Sequence, residues 1–199
     1  MTADPPPLTG RQLLNFKSII SGIDADLQQY ENAIEQLDRH PPDTADGKPV
    51  RVLMTGVPMA HGAERVLEII EDSGAVVVCM ESCTGLKPIL EDVDQQADDP
   101  LRAIAEKYFH LPCSVMTCND RRLESLQQLV RTYRPECVVE LIWQACLTYD
   151  IESSRVKRLC EETLDLPYLK IETDYSPSDT ARIGVRVEAL METVRARRA

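Results

Sequence analysis

The sequence lacks a long apolar run, an excess of basic residues and a signal peptide. No apolar stretch approaches the ~20 residues that a membrane-spanning helix needs, and the N-terminal MTADPPPLTGRQ has neither a basic nor an apolar region of the signal-peptide kind. The 22 Lys and Arg are outnumbered by 33 Asp and Glu, giving a net charge of −11. A general nucleic-acid binder needs a basic face. These absences predict a cytoplasmic protein that binds neither membrane nor nucleic acid.

The sequence also lacks a CxxC pair of cysteines. Seven cysteines are present, but no CxxC occurs, which excludes a zinc ribbon and a ferredoxin-type run. An odd number of cysteines without an export signal favours reduced thiols over disulfides. The three histidines do not cluster in the sequence; they are His40, His61 and His110. Any metal site must therefore be assembled by the fold from distant positions.

The first quarter of the chain differs in composition from the rest. Residues 1–9 are rich in proline and are expected to be disordered or extended. Residues 10–49 are predicted to form a helical segment followed by a linker, with Thr9 as the N-terminal cap and Gly22 as a break between two helices. This long helical element has no obvious place in a compact sheet domain, so we expect it to pack outside that domain or against another subunit.

From residue 50 to residue 199 short apolar, β-rich runs alternate with helical patterns. Such alternation is typical of a parallel sheet with helices on both faces. The sequence therefore predicts a three-layer α/β domain, Rossmann-like or flavodoxin-like, with about four or five parallel strands. The predicted strands are Val50–Thr55, Ala75–Met80, a short one around Ser114–Thr117, Cys137–Ile142 and Pro167–Glu172.

Three cysteines are associated with the ends of predicted strands. Cys83 follows the second strand, Cys113 lies beside the short third strand, and Cys146 follows the apolar run VVELIW. Open α/β sheets bind their ligands beyond the carboxyl ends of their strands. These three thiols are therefore candidates for ligands or nucleophiles at one edge of the sheet. The alternative for each is a small, half-buried residue with no chemical role.

The other four cysteines have less favourable positions for chemistry. Cys79 lies within a predicted strand, Cys137 begins one, and Cys160 lies on the apolar side of a helix, so all three are expected to be core residues. Cys118 lies in the loop MTCND close to Cys113. It is either an additional ligand, a spare thiol or an exposed residue without a role.

The blocks that carry the candidate thiols resemble a known family, the 2-hydroxyacyl-CoA dehydratase D-component and benzoyl-CoA reductase family, whose superfamily includes double-cubane cluster proteins. The resemblance covers roughly residues 50–195 and corresponds to the second of two α/β domains in the family. The blocks are ESCTGLKP, LPCSVMTCN, WQACLTYDIESSRVKRLCEE and LPYLKIETDYSPSD.

The resemblance implies an iron–sulfur enzyme. It implies a [4Fe–4S] cluster held by Cys83, Cys113 and Cys146, facing an acyl-CoA and receiving one low-potential electron from an ATP-dependent activator protein. Dehydratases of the family then expel a hydroxyl group as lyases, and the reductases attack an aromatic thioester. Relatives often have a second thiol at the position of Val115, which Cys118 would replace here. The resemblance also implies a second α/β domain or subunit and a homo- or hetero-oligomer.

Two other functions remain open at this point. The chain can be a non-catalytic fragment or scaffold subunit of the family, with the long N-terminal helix as its interface. It can also be a reductase of small molecules that carries a double-cubane cluster. The missing thiol at Val115 argues against that second alternative, because a larger cluster needs more ligands.

Overall fold

The computed structural model describes residues 1–16, 24–39, 48–60, 62–116 and 118–198. Within them the chain forms a four-stranded parallel sheet with strand order β2-β1-β3-β4. The strands are β1 Val50–Gly56, β2 Ala75–Glu81, β3 Cys137–Trp143 and β4 Tyr168–Thr173. The parallel sheet predicted from the sequence is confirmed.

Seven α-helices lie in the described part of the chain. They are α1 Gly10–Asn15, α2 Asp24–Arg39, α3 Arg65–Asp72, α4 Pro100–Phe109, α5 Asp120–Tyr133, α6 Leu147–Arg158 and α7 Thr180–Arg198. Helices α1, α3 and α7 pack on one face of the sheet, and α5 and α6 pack on the other. The predicted three-layer, Rossmann-like or flavodoxin-like fold is confirmed. Among the helices described, none is both long enough and apolar enough to cross a membrane.

The core on the first face is apolar throughout. Helix α7 buries Ile183, Val187, Leu190 and Met191, whose spacing of three or four residues places them on one side of the helix. They pack with α3 against alternate strand residues such as Val139. Burial of this apolar surface is the main stabilising term for such a layer.

The prediction of a short strand around Ser114–Thr117 is wrong. Residues 114–116 form a turn, in which the Met116 amide donates to the Cys113 carbonyl at 3.0 Å; Thr117 lies outside the described residues. The Val115 side chain is 71% exposed. The apolar residues that suggested a strand therefore face solvent, and the segment has no neighbouring strand to supply ladder hydrogen bonds.

The first helix belongs to the sheet domain. Thr9 caps α1 as predicted, through a reciprocal pair of hydrogen bonds with Gln12. Leu14 is buried in the core of the first face, and a Cβ atom at Gly10 would lie 2.8 Å from the Val77 side chain. Close contact between α1 and β2 thus requires glycine at this position. The predicted break at Gly22 lies outside the described residues.

A register shift in β2 changes which side chains face each layer. Val52 pairs with Val77, but the next residue, Leu53, pairs with Cys79, so Val78 is the extra residue of a bulge. Val77 and Met80 belong to the core of the first face, whereas Cys79 belongs to the core of the second. The bulge therefore places the last residue of β2, Glu81, on the face covered by α5 and α6.

Candidate functional site

The strand order reverses between β1 and β3, and ligands of open α/β sheets bind beyond the carboxyl ends of the strands at such a point. Gly56 ends β1 here with φ +107°, a conformation that side chains disfavour. A Cβ atom at Gly56 would lie 2.1 Å from the Leu141 carbonyl oxygen of β3. Glycine therefore allows the loop after β1 to lie directly against β3.

Cys83 lies at the tip of a tight turn after β2. The Gly85 amide donates to the Ser82 carbonyl at 3.0 Å, and a Cβ atom at Gly85 would lie 2.1 Å from the Met80 carbonyl oxygen. The Thr84 hydroxyl accepts a hydrogen bond from the Met59 amide at 2.9 Å, which joins this turn to the loop after β1. The turn leaves the Cys83 thiol exposed at the edge of the sheet.

Cys146 lies immediately before α6. Its amide donates to the Trp143 carbonyl at 2.9 Å, and the preceding Ala145 has φ +68°, so the chain turns sharply between β3 and α6. The Cys146 carbonyl accepts from the Asp150 amide at 3.1 Å and continues the helical hydrogen-bond pattern. The thiol is therefore half-buried at the amino-terminal end of α6.

Cys113 reaches the same place from the connection between α4 and α5. The Asn119 side-chain amide donates to the Cys113 carbonyl at 2.9 Å and to the Glu152 carboxylate of α6 at 2.8 Å. The Ser114 hydroxyl lies 3.3 Å from the Thr148 hydroxyl in the first turn of α6. The loops of Cys113 and Cys146 are thus directly joined.

The remaining cysteines differ from these three in burial. Cys79, Cys137 and Cys160 are buried, which confirms the prediction that they are core residues. Burial raises the pKa of the Cys137 and Cys160 thiols to about 12, so both remain protonated near neutral pH. Cys118 is exposed, with φ +57°. All seven thiols are free.

The candidate thiols at this edge are of the donor type that iron–sulfur clusters use. Within the described ranges, no three His, Cys, Asp or Glu side chains are arranged to hold one metal ion. A four-iron cluster is larger than one ion, so its thiolates stand farther apart, and thiolate is the usual ligand for iron–sulfur clusters. Cys83, Cys113 and Cys146 supply three free thiols of this kind. Of the histidines, His110 contacts the Glu106 carbonyl, and His40 and His61 lie outside the described residues.

Beneath the thiol loops lies a group of charged residues that the sequence reasoning missed. We call Glu81, Lys87, Arg122, Glu140 and Glu152 the ionic network. Arg122 of α5 is only 1% exposed and lies at its centre. Its guanidinium donates to Glu152 at 2.7 Å and to Glu140 at 3.0 Å, and its Nε lies 3.5 Å from Glu81. Three carboxylates thus surround one buried cation.

Lys87 extends the ionic network toward Cys83. Its Nζ lies 2.9 Å from the Glu81 carboxylate and donates to the Tyr149 hydroxyl of α6 at 3.1 Å. The Tyr149 ring also faces the Arg122 guanidinium, 4.9 Å from the ring centroid, which is a cation–π contact. Burial disfavours the Lys87 ammonium, but attraction to Glu81 and Tyr149 outweighs it and raises the Lys87 pKa. Lys87 is therefore charged at neutral pH.

Two hydroxyls also donate hydrogen bonds to the buried carboxylates. Thr55 of β1 donates to Glu81, and Tyr168 of β4 donates to Glu140 at 2.6 Å. Burial raises the pKa of Glu140, although Arg122 and Tyr168 favour its ionised form. One signal in the sequence could have revealed the ionic network. Glu140 lies within an apolar strand and Glu81 ends one, and a charge buried in this way requires partners.

A polar cleft of about 530 Å³ lies beside these loops, at the carboxyl end of β4. Its basic side chains are Lys170, Arg182 and Arg186, and its acidic ones include Glu172 and Asp174. Because the two signs are mixed, the cleft shows no preference for an anion or a cation.

Comparison with known proteins identifies the family. A family model described as 2-hydroxyglutaryl-CoA dehydratase, D-component, matches residues 1–194. This chain belongs to that family. The family match is wider than the 50–195 expected from the sequence blocks, because it also includes the N-terminal helices.

A curated relative agrees with this assignment. The putative dehydratase subunit YjiM of Escherichia coli (strain K12) is 36% identical, and the aligned region covers 95% of this chain and 50% of the relative. The dehydratase-family chain therefore spans about half the length of the curated relative it matches.

Proposed function

We propose that this chain is the iron–sulfur subunit or domain of a 2-hydroxyacyl-CoA dehydratase or benzoyl-CoA reductase type of enzyme. Cys83, Cys113 and Cys146 are the proposed ligands of a [4Fe–4S] cluster. The proposal is supported most directly by the contacts of the segments that carry these free thiols: Ser114, next to Cys113, and Lys87, after Cys83, both contact the first turn of α6, which Cys146 precedes. When bound, such a cluster supplies a low-potential electron for one-electron chemistry on an acyl-CoA.

The chain's own residues provide the site for this chemistry. The loops hold the thiols at the edge of the sheet where solvent and a substrate reach them, whereas the core cysteines remain sealed from both. Three protein thiolates leave one iron of a four-iron cluster without a protein ligand. That position is then open to a substrate oxygen or a water.

A partner is part of the proposal. Exposed apolar side chains lie close to the thiols in sequence: Phe109 and Val115 flank Cys113, while Leu147 and Ile151 follow Cys146, and each is 70–71% exposed. Clustered apolar exposure favours an interface. A second α/β domain or subunit of the same family is the proposed cover of this edge, and an ATP-dependent activator protein is the proposed electron donor.

The test is the iron and acid-labile sulfide content of anaerobically purified protein, with an EPR spectrum of the reduced form. We expect about four irons per chain. Separate Cys83→Ala, Cys113→Ala and Cys146→Ala variants should each lose most of the iron and the reduced-cluster signal. Cys118→Ser then shows whether that thiol is a further ligand. Twice the iron content would instead indicate the double-cubane alternative.

The matched control is Cys160→Ala, because this thiol is buried among apolar side chains and cannot reach the sheet edge. Its iron content should equal that of the wild type. A wild-type protein without iron under these conditions, or a triple Ala variant with unchanged iron, would contradict the proposal.

An interaction subunit without a cluster is the second candidate. It is supported by α2, which leaves Leu27 47% and Ile34 60% exposed. This function predicts a stable oligomer or complex without iron. Light scattering during size-exclusion chromatography would show a clean monomer if α2 were not an interface between copies of this chain.

A further inference from the structure

The ionic network, together with the side chains of Tyr149 and Asn119 that bind to it, draws residues from each of the three segments that carry the candidate thiols. Lys87 lies four residues after Cys83 in the turn that follows β2. Arg122 and Asn119 begin α5, directly after the loop of Cys113. Tyr149 and Glu152 lie in the first two turns of α6, which follows Cys146. The residues therefore connect segments that are distant in the sequence.

The contacts form a continuous path between the three segments. Lys87 joins the Cys83 turn to α6 through the Tyr149 hydroxyl, 3.1 Å away. Arg122 joins α5 to α6 through Glu152 at 2.7 Å. Asn119 joins the same Glu152 to the Cys113 carbonyl. The segments of Cys83 and Cys113 are thus each held to the first turns of α6, which Cys146 precedes, by polar contacts that are buried or partly buried.

Because the charged residues of the ionic network are buried, breaking one of these contacts is energetically costly. Lys87, Arg122, Glu81 and Glu140 are at most 2% exposed, so none of them can exchange its partner for water. Leaving one buried charge without its partner destabilises a protein by about 3–5 kcal/mol, whereas an exposed pair contributes about 0–1 kcal/mol. A segment that moves away from α6 must therefore expose or abandon a buried charge.

We infer that the ionic network is the common support that fixes the three thiol-bearing segments relative to one another, with Lys87, Arg122 and Tyr149 as positioning residues. This role rests on the proposed function of the thiols as joint ligands. The segments should loosen together when one connection is removed, although the substitution touches only one of them.

Tyr149→Phe is the sharpest variant, because it removes the hydroxyl that Lys87 binds and keeps the ring that packs against Arg122. Amide hydrogen exchange of the iron-free protein should accelerate roughly fivefold in the turns of Cys83, Cys113 and Cys146 together, since one hydrogen bond is worth about 1 kcal/mol. Lys87→Met should have a larger effect on the same three segments, and Lys87→Arg should restore much of the protection.

Arg155→Met is the matched control. Arg155 pairs with Asp120 and also joins α5 to α6, but both side chains are at least 40% exposed. Its exchange pattern at the three segments should equal the wild type. Acceleration confined to the segment that carries the substitution, or equal acceleration in β1 and α7, would overturn the inference.

A second readout separates positioning from the cluster proposal. In iron-loaded protein, Tyr149→Phe should alter the EPR spectrum of the reduced cluster, and Arg155→Met should not. A wild-type protein that binds no iron, but whose three segments still loosen together, would contradict the proposed function and leave the shared support intact. If the Tyr149→Phe variant binds iron, keeps the wild-type EPR spectrum and loosens in only one segment, the proposed function stands and the shared support is contradicted.

Discussion

Two buried arginines lie at opposite ends of the sheet, and their partners differ in charge. Arg51, at the amino end of β1, is 7% exposed and donates to backbone carbonyls of Met1, Ala3, Tyr133 and Arg134. Arg122, near the carboxyl ends, binds carboxylates instead. Burial lowers the pKa of Arg51, whereas the carboxylates around Arg122 outweigh burial and raise its pKa.

The difference shows how one residue type serves two purposes. Neutral carbonyls accept from four of the five N–H donors of the Arg51 guanidinium without adding charge, and they join the N-terminal segment to the end of α5. Charged partners bind more strongly and are costly to leave alone when buried. The buried arginine at the amino end is therefore held by backbone carbonyls, and the one near the carboxyl end is held by ion pairs under the candidate site.

The largest expected effect is that of Arg122→Met. Removal of the cation leaves Glu81 and Glu140 buried without their shared partner, so the free energy of unfolding should fall by about 3–5 kcal/mol. Urea denaturation followed by circular dichroism measures this change. Arg155→Met, in an exposed pair, should cost at most about 1 kcal/mol. Equal costs for the two variants would show that the buried network adds no special stability.

Arg51→Met should have an intermediate effect. The variant loses hydrogen bonds to neutral carbonyls, and those of the N-terminal segment can turn to water, so we expect a loss of about 1–3 kcal/mol. Hydrogen exchange should accelerate in residues 1–9 and at the end of α5, and remain unchanged in the thiol-bearing segments. Acceleration around Cys83 would mean that the two ends of the sheet are not independent.

The smallest expected effect is on the pH dependence of stability, and it concerns two glutamates that lie four residues apart. Burial opposes ionisation of Glu136, but hydrogen bonds from Arg198 and the Arg51 amide outweigh it and lower its pKa. Burial raises the pKa of Glu140. The contribution of Glu136 to stability is therefore present above its unfolded-state pKa of about 4.3 and lost as pH falls. The contribution of Glu140 to stability is present below its unfolded-state pKa of about 4.3 and is lost as pH rises through its folded-state pKa.

Glu136→Gln should consequently lower the free energy of unfolding more at pH 7 than at pH 3. Glu140→Gln should lower it more at pH 3 than at pH 7. Urea titrations at several pH values give both differences. Glu192→Gln, on the exposed side of α7, serves as the control for substitution of a glutamate outside these contacts. Slopes of the same sign for Glu136 and Glu140 would contradict the contrast between the two ends.

Local patterns in the sequence were sufficient for the main elements of the fold. Apolar runs such as VVELIW and the helical spacing of Ile183, Val187 and Met191 depend only on neighbouring residues, and they predicted the strands and the three layers. Burial of Cys79, Cys137 and Cys160 followed from the same patterns. The turn at Val115 was wrongly predicted to be a strand. Four apolar or small residues form a strand only when a neighbouring strand pairs with them.

Tertiary structure alone decided the arrangement of the ionic network. Arg122 lies on the buried side of α5 with Leu126 and Leu129, where the helical pattern predicts an apolar residue. Glu81 faces Arg122 only because of the bulge at Val78, which depends on the pairing of β2 with β1. The sequence by itself determined most of the strands, the helices and the apolar core, because those choices are largely local. The meeting of Lys87, Arg122 and Tyr149 beneath the thiols depends on contacts between distant segments, which only the folded chain brings together.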